Sequence, residues 1–217
     1  MEFYDKNIAI NEILEAGKRM YQKGFVASND GNISAKISEN EILITATGVC
    51  KGDMTKEHIL TVDINGNLIS GAFKPTSEMK LHIAIYKERA DVFGVVHAHP
   101  QVATAFAVAR KGLDKVSLSE VVLSLGKVSL ADYGTPSTED LPNTVIKHVH
   151  DGEAVLMSNH GAVTYGKSVM DAYFNMETLE HFAKISLNAR ILGGEHFFNQ
   201  KETDKLFDVR KKVFGKK

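Results

Sequence analysis

Gly94-Val95-Val96-His97-Ala98-His99-Pro100 is the stretch on which the reading of the chain turns. Glycine and two β-branched valines lead into two histidines separated by one residue, and a proline follows. In a strand, side chains at i and i+2 point the same way, whereas a helix would place them on nearly opposite faces. Read as a short buried strand, the segment presents His97 and His99 together, and Pro100 ends it with the pair at a rim.

The same reasoning extends outward. Ser77 to Arg89 reads as a helix with Met79, Ile83 and Tyr86 along one face, and Val102 to Arg110 as another. Ile33 to Ile37 and Glu41 to Thr45 read as a strand pair turning at Glu39-Asn40. Ile59 to Asp63 and Leu68-Ile69 flank Asn65-Gly66, the best hairpin signal in the chain. On the other side, Lys127 to Leu130 reads as a strand, Asp140 to Val149 as a helix, and Glu153 to Met157 with Ala162 to Tyr165 as a further strand pair. An amphipathic helix carrying Ile10, Ile13, Leu14, Gly17, Met20 and Tyr21 opens the chain. The longest helix, Val169 to Leu192, has Val169, Ala172, Tyr173, Met176, Leu179, Ala183 and Leu187 as its stripe and ends at Gly193-Gly194. The pattern is α/β: a mostly antiparallel sheet with helices packed on it. No linker or repeat divides it, so residues 1–217 are expected to form one domain.

Composition narrows the class. The apolar fraction is 43%, the charged fraction 24% and the net charge -1, so no basic field points to nucleic acid or an anionic membrane. Lys211-Lys212 and Lys216-Lys217 read as a solvated end. Cys50 is the single cysteine, which excludes an internal disulfide and suits a reducing compartment. Glu2 and Asp5 replace the basic start of a signal peptide, and no apolar run reaches the roughly 20 residues that span a bilayer. A cytoplasmic protein is expected.

The chemistry centres on histidine. His160 follows the apolar strand Val155-Leu156-Met157 and precedes Gly161, where a glycine permits close backbone approach. Three imidazoles on adjacent strand ends would leave an open fourth position, the arrangement of a catalytic metal site. His148-Val149-His150 lies in a helical stretch and should not chelate. Glu78 is a possible fourth contact, although a carboxylate starting a helix is also explained by the dipole alone. Gly31-Asn32, Thr47-Gly48 and Thr76-Ser77 are three small polar clusters at element ends, suited to holding an anion through backbone N–H groups and hydroxyls. Each is also an ordinary turn or cap, and the set gains meaning only by converging.

Taken in order, Gly31-Asn32-Ile33-Ser34, Ile44-Thr45-Ala46-Thr47-Gly48, Pro75-Thr76-Ser77-Glu78, Val96-His97-Ala98-His99 and Asn159-His160-Gly161 resemble the motifs of the class II aldolase/adducin family, in its fuculose-phosphate aldolase branch. The resemblance runs from the first helix to about Phe214. It implies a three-layer α/β/α fold with a central, mostly antiparallel sheet, and a homotetramer with active sites at subunit interfaces. It implies Zn2+, with Mn2+ or Co2+ as alternatives, held by His97, His99 and His160 with Glu78 beside it. Gly31, Asn32, Thr47, Gly48, Thr76 and Ser77 would hold the phosphate of a small phosphorylated sugar. The implied reaction is retro-aldol cleavage of a ketose 1-phosphate, through an enediolate, to dihydroxyacetone phosphate and a small aldehyde, with Glu78 moving the proton. A glutamate here favours aldolase over the family's epimerases, which carry aspartate.

Two positions depart from that pattern. Leu118 and Phe214 stand where these aldolases carry tyrosines, so the aldehyde-side proton must come from elsewhere. Glu120, in Leu118-Ser119-Glu120-Val121-Val122, resembles the acid/base glutamate of the family's dehydratases. Its apolar surroundings would raise its pKa if it were buried, while an exposed surface glutamate is the competing reading. Tyr133 is a second candidate hydroxyl or else a packed aromatic. A sugar-phosphate dehydratase or 3-oxo-acid-phosphate decarboxylase on the same metal site, and a non-enzymatic adducin-like binding module, are the alternatives.

Overall fold

A computed structural model of the chain describes residues 3–215, apart from the side chain of Phe214. Eight strands form one sheet: β1 (Asn32–Lys36), β2 (Glu41–Thr45), β3 (Ile59–Asp63), β4 (Leu68–Ser70), β5 (Gly94–Ala98), β6 (Ser129–Ala131), β7 (Ala154–Met157) and β8 (Gly161–Gly166). Their order is β4-β3-β2-β1-β5-β8-β7-β6. Every neighbouring pair is antiparallel except β6 with β7, which is parallel. The strands of the sequence reading are therefore present to within one or two residues. The central ones are buried along their whole length, as expected for a sheet covered on both faces.

Helices cover the two faces. One carries α1 (Lys6–Gln22), α3 (Gln101–Val108), α4 (Ser119–Leu125) and α6 (Val169–Ile191), whose buried side chains pack with Ile33, Val96, Leu156 and Ala162. The other carries α2 (Met79–Glu88) and α5 (Asp140–Val145), whose Leu81, Ile85, Tyr86 and Leu141 pack with Ile42, Val95, Val155 and Val163. This is the expected α/β/α layering. The helix expected over Asp140 to Val149 tightens to a 3₁₀ turn at Ile146–His148. The α6 stripe is buried through Ala183 and Ser186, but Leu187 is exposed, as are Ile191 and Leu192 after it.

Two helices were not foreseen: α4, and α7 (Gln200–Phe214), which packs back on α4. Arg210 of α7 is fully buried, donating to the carbonyl oxygens of Val122 and Leu123 and pairing with Glu153, which also meets Arg89. No helix among the described residues is long and apolar enough to cross a membrane.

Candidate metal centre

Antiparallel order gathers the site. The first residue of β1, the last of β2, the end of β5 and the first of β8 all lie at one end of the sheet. Asn32 is the register partner of His97, and Ala98 that of Ala162. The Thr45 hydroxyl accepts from the Ile33 amide at 3.2 Å, and the Thr76 amide donates to the Thr45 carbonyl at 3.1 Å. A bridge between Ala46 and Pro75 joins the second polar cluster to the third. All three clusters thus reach one cavity of 250 Å³, lined by Asp30, Gly31, Asn32, Thr47, Gly48, Thr76, Ser77, Glu78, His97, His99 and His160. The convergence that sequence could not show is present.

The three imidazoles face one point. Ring centroids lie 5.0 Å apart for His97 and His99, 4.8 Å for His97 and His160, and 5.4 Å for His99 and His160. One nitrogen from each falls within 4.8 Å of the others. His97 Nδ1 donates to the Ala162 carbonyl at 2.9 Å, which turns Nε2 inward as a lone-pair donor. His99 Nδ1 sits 3.3 Å from Asp30, leaving its Nε2 inward too. Burial, reinforced by the neighbouring imidazoles, holds His97 well below the usual histidine range, and His160 is pushed down to about 4, again mainly by burial. Both are neutral near pH 7, the form that binds a metal.

The donor set fits a divalent cation. Buried polar atoms without a partner are rare in proteins. Three of them, His99 Nε2, His160 Nδ1 and Glu78 Oε2, line this one cavity. Three nitrogens and a carboxylate suit zinc and also manganese or cobalt. Glu78 lies outside the three-nitrogen cluster but in the same cavity. It occupies the N-cap position of α2 rather than its first turn. The Ser137 amide donates to Oε1 at 3.1 Å. Burial raises the Glu78 pKa, offset in part by Ser137 and by His99.

Glycine has a different part at Gly161 than in most turns. The left-handed residue of this turn is Asn159, with φ 57°. Gly161 is needed because a Cβ there would stand 2.5 Å from His99 Cδ2 and 2.7 Å from the Ala98 carbonyl oxygen.

The other candidate residues lie away from this cavity or outside the described residues. Glu120 is exposed, in the first turn of α4, and its carboxyl is held below the usual range by its own backbone amide and the Ser119 hydroxyl. The apolar stretch around it buries Val121, Val122 and Leu125 instead, because a short helix turns its charged residue outward. Glu120 does not line the cavity, and neither does Tyr133, which is solvent-exposed rather than packed. Leu118 is half-buried at the N-cap of α4; the Phe214 side chain lies outside the described residues. His148 and His150 bond separately to Asp151 and Glu88 and do not chelate together.

Several contributors had no sequence signal. Asp30 sits inside the polar run Ser28–Asn32 but nothing there points it at His99. Lys51 is almost fully buried behind the cavity and ties two loops together by donating to the carbonyls of Asn29 and Val49. Burial lowers its pKa to about 8. Glu180 of α6 accepts from the amides of Val102 and Ala103, capping α3 where Pro100 offers no side-chain cap and so steadying the strand end that bears His99.

Residues 11–187 match the family described as class II aldolase and adducin N-terminal domain. The chain is 34% identical over 177 residues to an L-fuculose phosphate aldolase of Methanococcus maripaludis, covering 82% of this chain and 95% of that one. It is 30% identical over 178 residues to a 3-oxo-tetronate 4-phosphate decarboxylase of Haemophilus influenzae, covering 80% and 84%. Among solved structures, an L-fuculose 1-phosphate aldolase superposes with a TM-score of 0.88 at 27% identity, over 97% of this chain and 99% of that one. The chain belongs to the class II aldolase and adducin family.

Proposed function

We propose, from that membership and from the contents of the cavity, that this chain is a divalent-metal-dependent aldolase that cleaves a ketose 1-phosphate to dihydroxyacetone phosphate and a small aldehyde. The observation that carries the reading is the meeting of His97, His99, His160 and Glu78 with three anion-binding clusters in one cavity. A binding module has no use for three buried, unpartnered polar atoms beside an anion site.

What zinc, or manganese or cobalt in its place, would supply on the three imidazoles is Lewis acidity beside the substrate's carbonyl and stabilisation of the charge left when the carbon–carbon bond breaks. The chain does the rest. Asn32, Gly31, Thr47, Gly48, Thr76 and Ser77 hold the phosphate through amides and hydroxyls, which fixes the carbon skeleton against the imidazoles. Glu78 carries the proton at the carbon left by the departing aldehyde. Its raised pKa moves it toward working pH, where a proton carrier is most effective. Ser137 holds one carboxylate oxygen and leaves Oε2 for transfer. The whole chain acts as one domain in this reading, within a cytoplasmic homotetramer.

One alternative keeps the site and changes the leaving group. Loss of carbon dioxide from a 3-oxo acid phosphate needs no aldehyde-side donor. It is favoured by the decarboxylase relative, and it agrees with the expectation that Leu118 replaces the tyrosine of the aldolases. Dehydration with Glu120 as acid/base would require Glu120 to be delivered from a neighbouring subunit, since it does not line the cavity of its own chain.

A panel of ketose 1-phosphates and 3-oxo-acid phosphates, with products identified by mass, tests the reading. Release of dihydroxyacetone phosphate plus aldehyde, abolished by a chelator and restored by zinc, is expected. Turnover that survives complete metal removal would reject it, and carbon dioxide as the product would transfer the assignment to the decarboxylase reading.

A further inference from the structure

Behind the anion cavity runs a chain of buried hydrogen bonds that reaches the cavity only at Asn32. Tyr86 Oη lies 2.8 Å from Ser34 Oγ, Ser34 Oγ lies 2.7 Å from His82 Nδ1, and His82 Nε2 lies 2.6 Å from Asn32 Oδ1. Ser34 and His82 are 0% exposed and Tyr86 2%. His82 and Tyr86 sit one turn apart on α2, the helix that carries Glu78 at its start, while Asn32 and Ser34 project from one face of β1.

We infer that His82 is a positioning residue: it holds the oxygen end of the Asn32 amide, so that the N–H end is what the cavity presents to a phosphate. The inference rests on the reading of that cavity as a phosphate site.

The direction of the chain follows from counting protons. A neutral imidazole has one N–H, and each hydroxyl has one O–H. Asn32 Oδ1 can only accept, so the single imidazole proton lies on Nε2 and donates to it at 2.6 Å. Nδ1 is then the acceptor and takes the Ser34 proton at 2.7 Å, which leaves the Tyr86 proton for Ser34 Oγ. The Asn32 amide oxygen is taken, and only Nδ2 is left for the cavity that Asn32 lines. A phosphate offers acceptors alone, so an asparagine free to turn its oxygen inward would repel it half the time. Burial keeps His82 neutral, with its pKa lowered to about 3, so this direction persists across the physiological range. The same helix thus sets both the proton-carrying carboxylate and the anion-facing amide.

Nitrogen NMR of the ring in the full-length, metal-loaded protein reads the tautomer directly. The Nε2–H form is expected at pH 7; an Nδ1–H form would overturn the inference. Inorganic phosphate binding, followed by calorimetry, gives the second arm. His82→Phe is expected to weaken phosphate by roughly 10- to 100-fold, the scale of one charge-assisted hydrogen bond, with metal content unchanged. His82→Gln, whose amide N–H reaches the same oxygen, should recover most of that loss. His82→Phe should add nothing on an Asn32→Ala background. A folded His82→Phe protein that binds phosphate like the wild type contradicts the proposal. If His82→Phe does not fold, the tautomer and the His82→Gln titration decide. If the wild type itself fails to bind phosphate, the phosphate reading of the cavity falls, while the tautomer still decides whether His82 holds Asn32.

Discussion

Replacing Gly161 by alanine probes the metal centre without touching a ligand. Gly161 opens β8 and is not among the residues with positive φ, so the backbone itself accepts alanine. The difficulty is steric. The new Cβ would stand 2.5 Å from His99 Cδ2 and 2.7 Å from the Ala98 carbonyl oxygen, where ordinary contact begins at 3.4 Å. The oxygen belongs to the backbone at the end of β5 and the ring is a side chain, so the His99 ring is the part that yields more readily. That ring must retreat by about 1 Å, several times the roughly 0.2 Å latitude of a metal–ligand bond. The overpacking should cost about 1–3 kcal/mol of stability, which leaves the fold intact. Metal affinity should fall by at least the roughly 10- to 100-fold seen when outer-shell support is lost. Competition against a chromophoric chelator measures the affinity, and circular dichroism checks the fold. A folded Gly161→Ala protein holding metal as tightly as the wild type would refute the argument that His99 is a ligand pressed against this glycine.

Three further outcomes are expected. Glu78→Gln, assayed at saturating metal, should lower kcat by about 10²- to 10⁴-fold, since it removes the proton carrier while the three imidazoles remain; a near-normal rate would take Glu78 out of the chemistry. Glu153→Leu strips the carboxylate from the buried Arg210 and from Arg89, and urea unfolding should show a loss of about 3–5 kcal/mol. A loss under 1 kcal/mol would mean the cluster contributes little. Acid should destabilise the protein through His82. Between pH 6.5 and about 3 the unfolded chain binds a proton at this residue that the folded chain refuses, so stability falls as pH drops through that window, by up to about 1.4 kcal/mol per unit. Unfolding measured from pH 7 to pH 4 should show a shallower decline for His82→Phe, and parallel curves would exclude His82 as the source.

How much of this was legible in the sequence depends on the kind of signal. The strands that carry His97 and lead to His99 and His160 could be read because period-two geometry and β-branched runs are local properties. The Asn65-Gly66 turn could be read for the same reason, and Gly66 takes φ +88° as that turn chemistry requires. Glu120 could not. An apolar run with one carboxylate does not reveal which face of a short helix is turned to water, and only the packing of Val121, Val122 and Leu125 decides it. Helix α7 does carry local signals, the capping box of Asn199 and Glu202 and a short apolar face at Leu206, Phe207 and Val213, but they sit in a mostly polar run that reads as easily as a solvated end. Buried Arg210, Glu180, Lys51 and His82 form a third kind. Beside the local contacts of Lys51 with Val49 and of Glu180 with Lys184, their partners lie 22 to 88 residues away, so each reads as an ordinary surface or core residue until the sheet brings the partner in. The polar clusters at Gly31-Asn32, Thr47-Gly48 and Thr76-Ser77 were visible one by one. Their convergence was a matter of strand order, which residue spacing alone does not encode.

Anomalous diffraction from crystals grown with zinc and inorganic phosphate tests the account at its centre. One zinc peak per chain is expected, about 2.0–2.1 Å from a nitrogen of each of His97, His99 and His160, with phosphate against Asn32, Thr47, Gly48 and Ser77 in the same cavity. Zinc bound elsewhere, or bound there with the phosphate in a different part of the molecule, would contradict it.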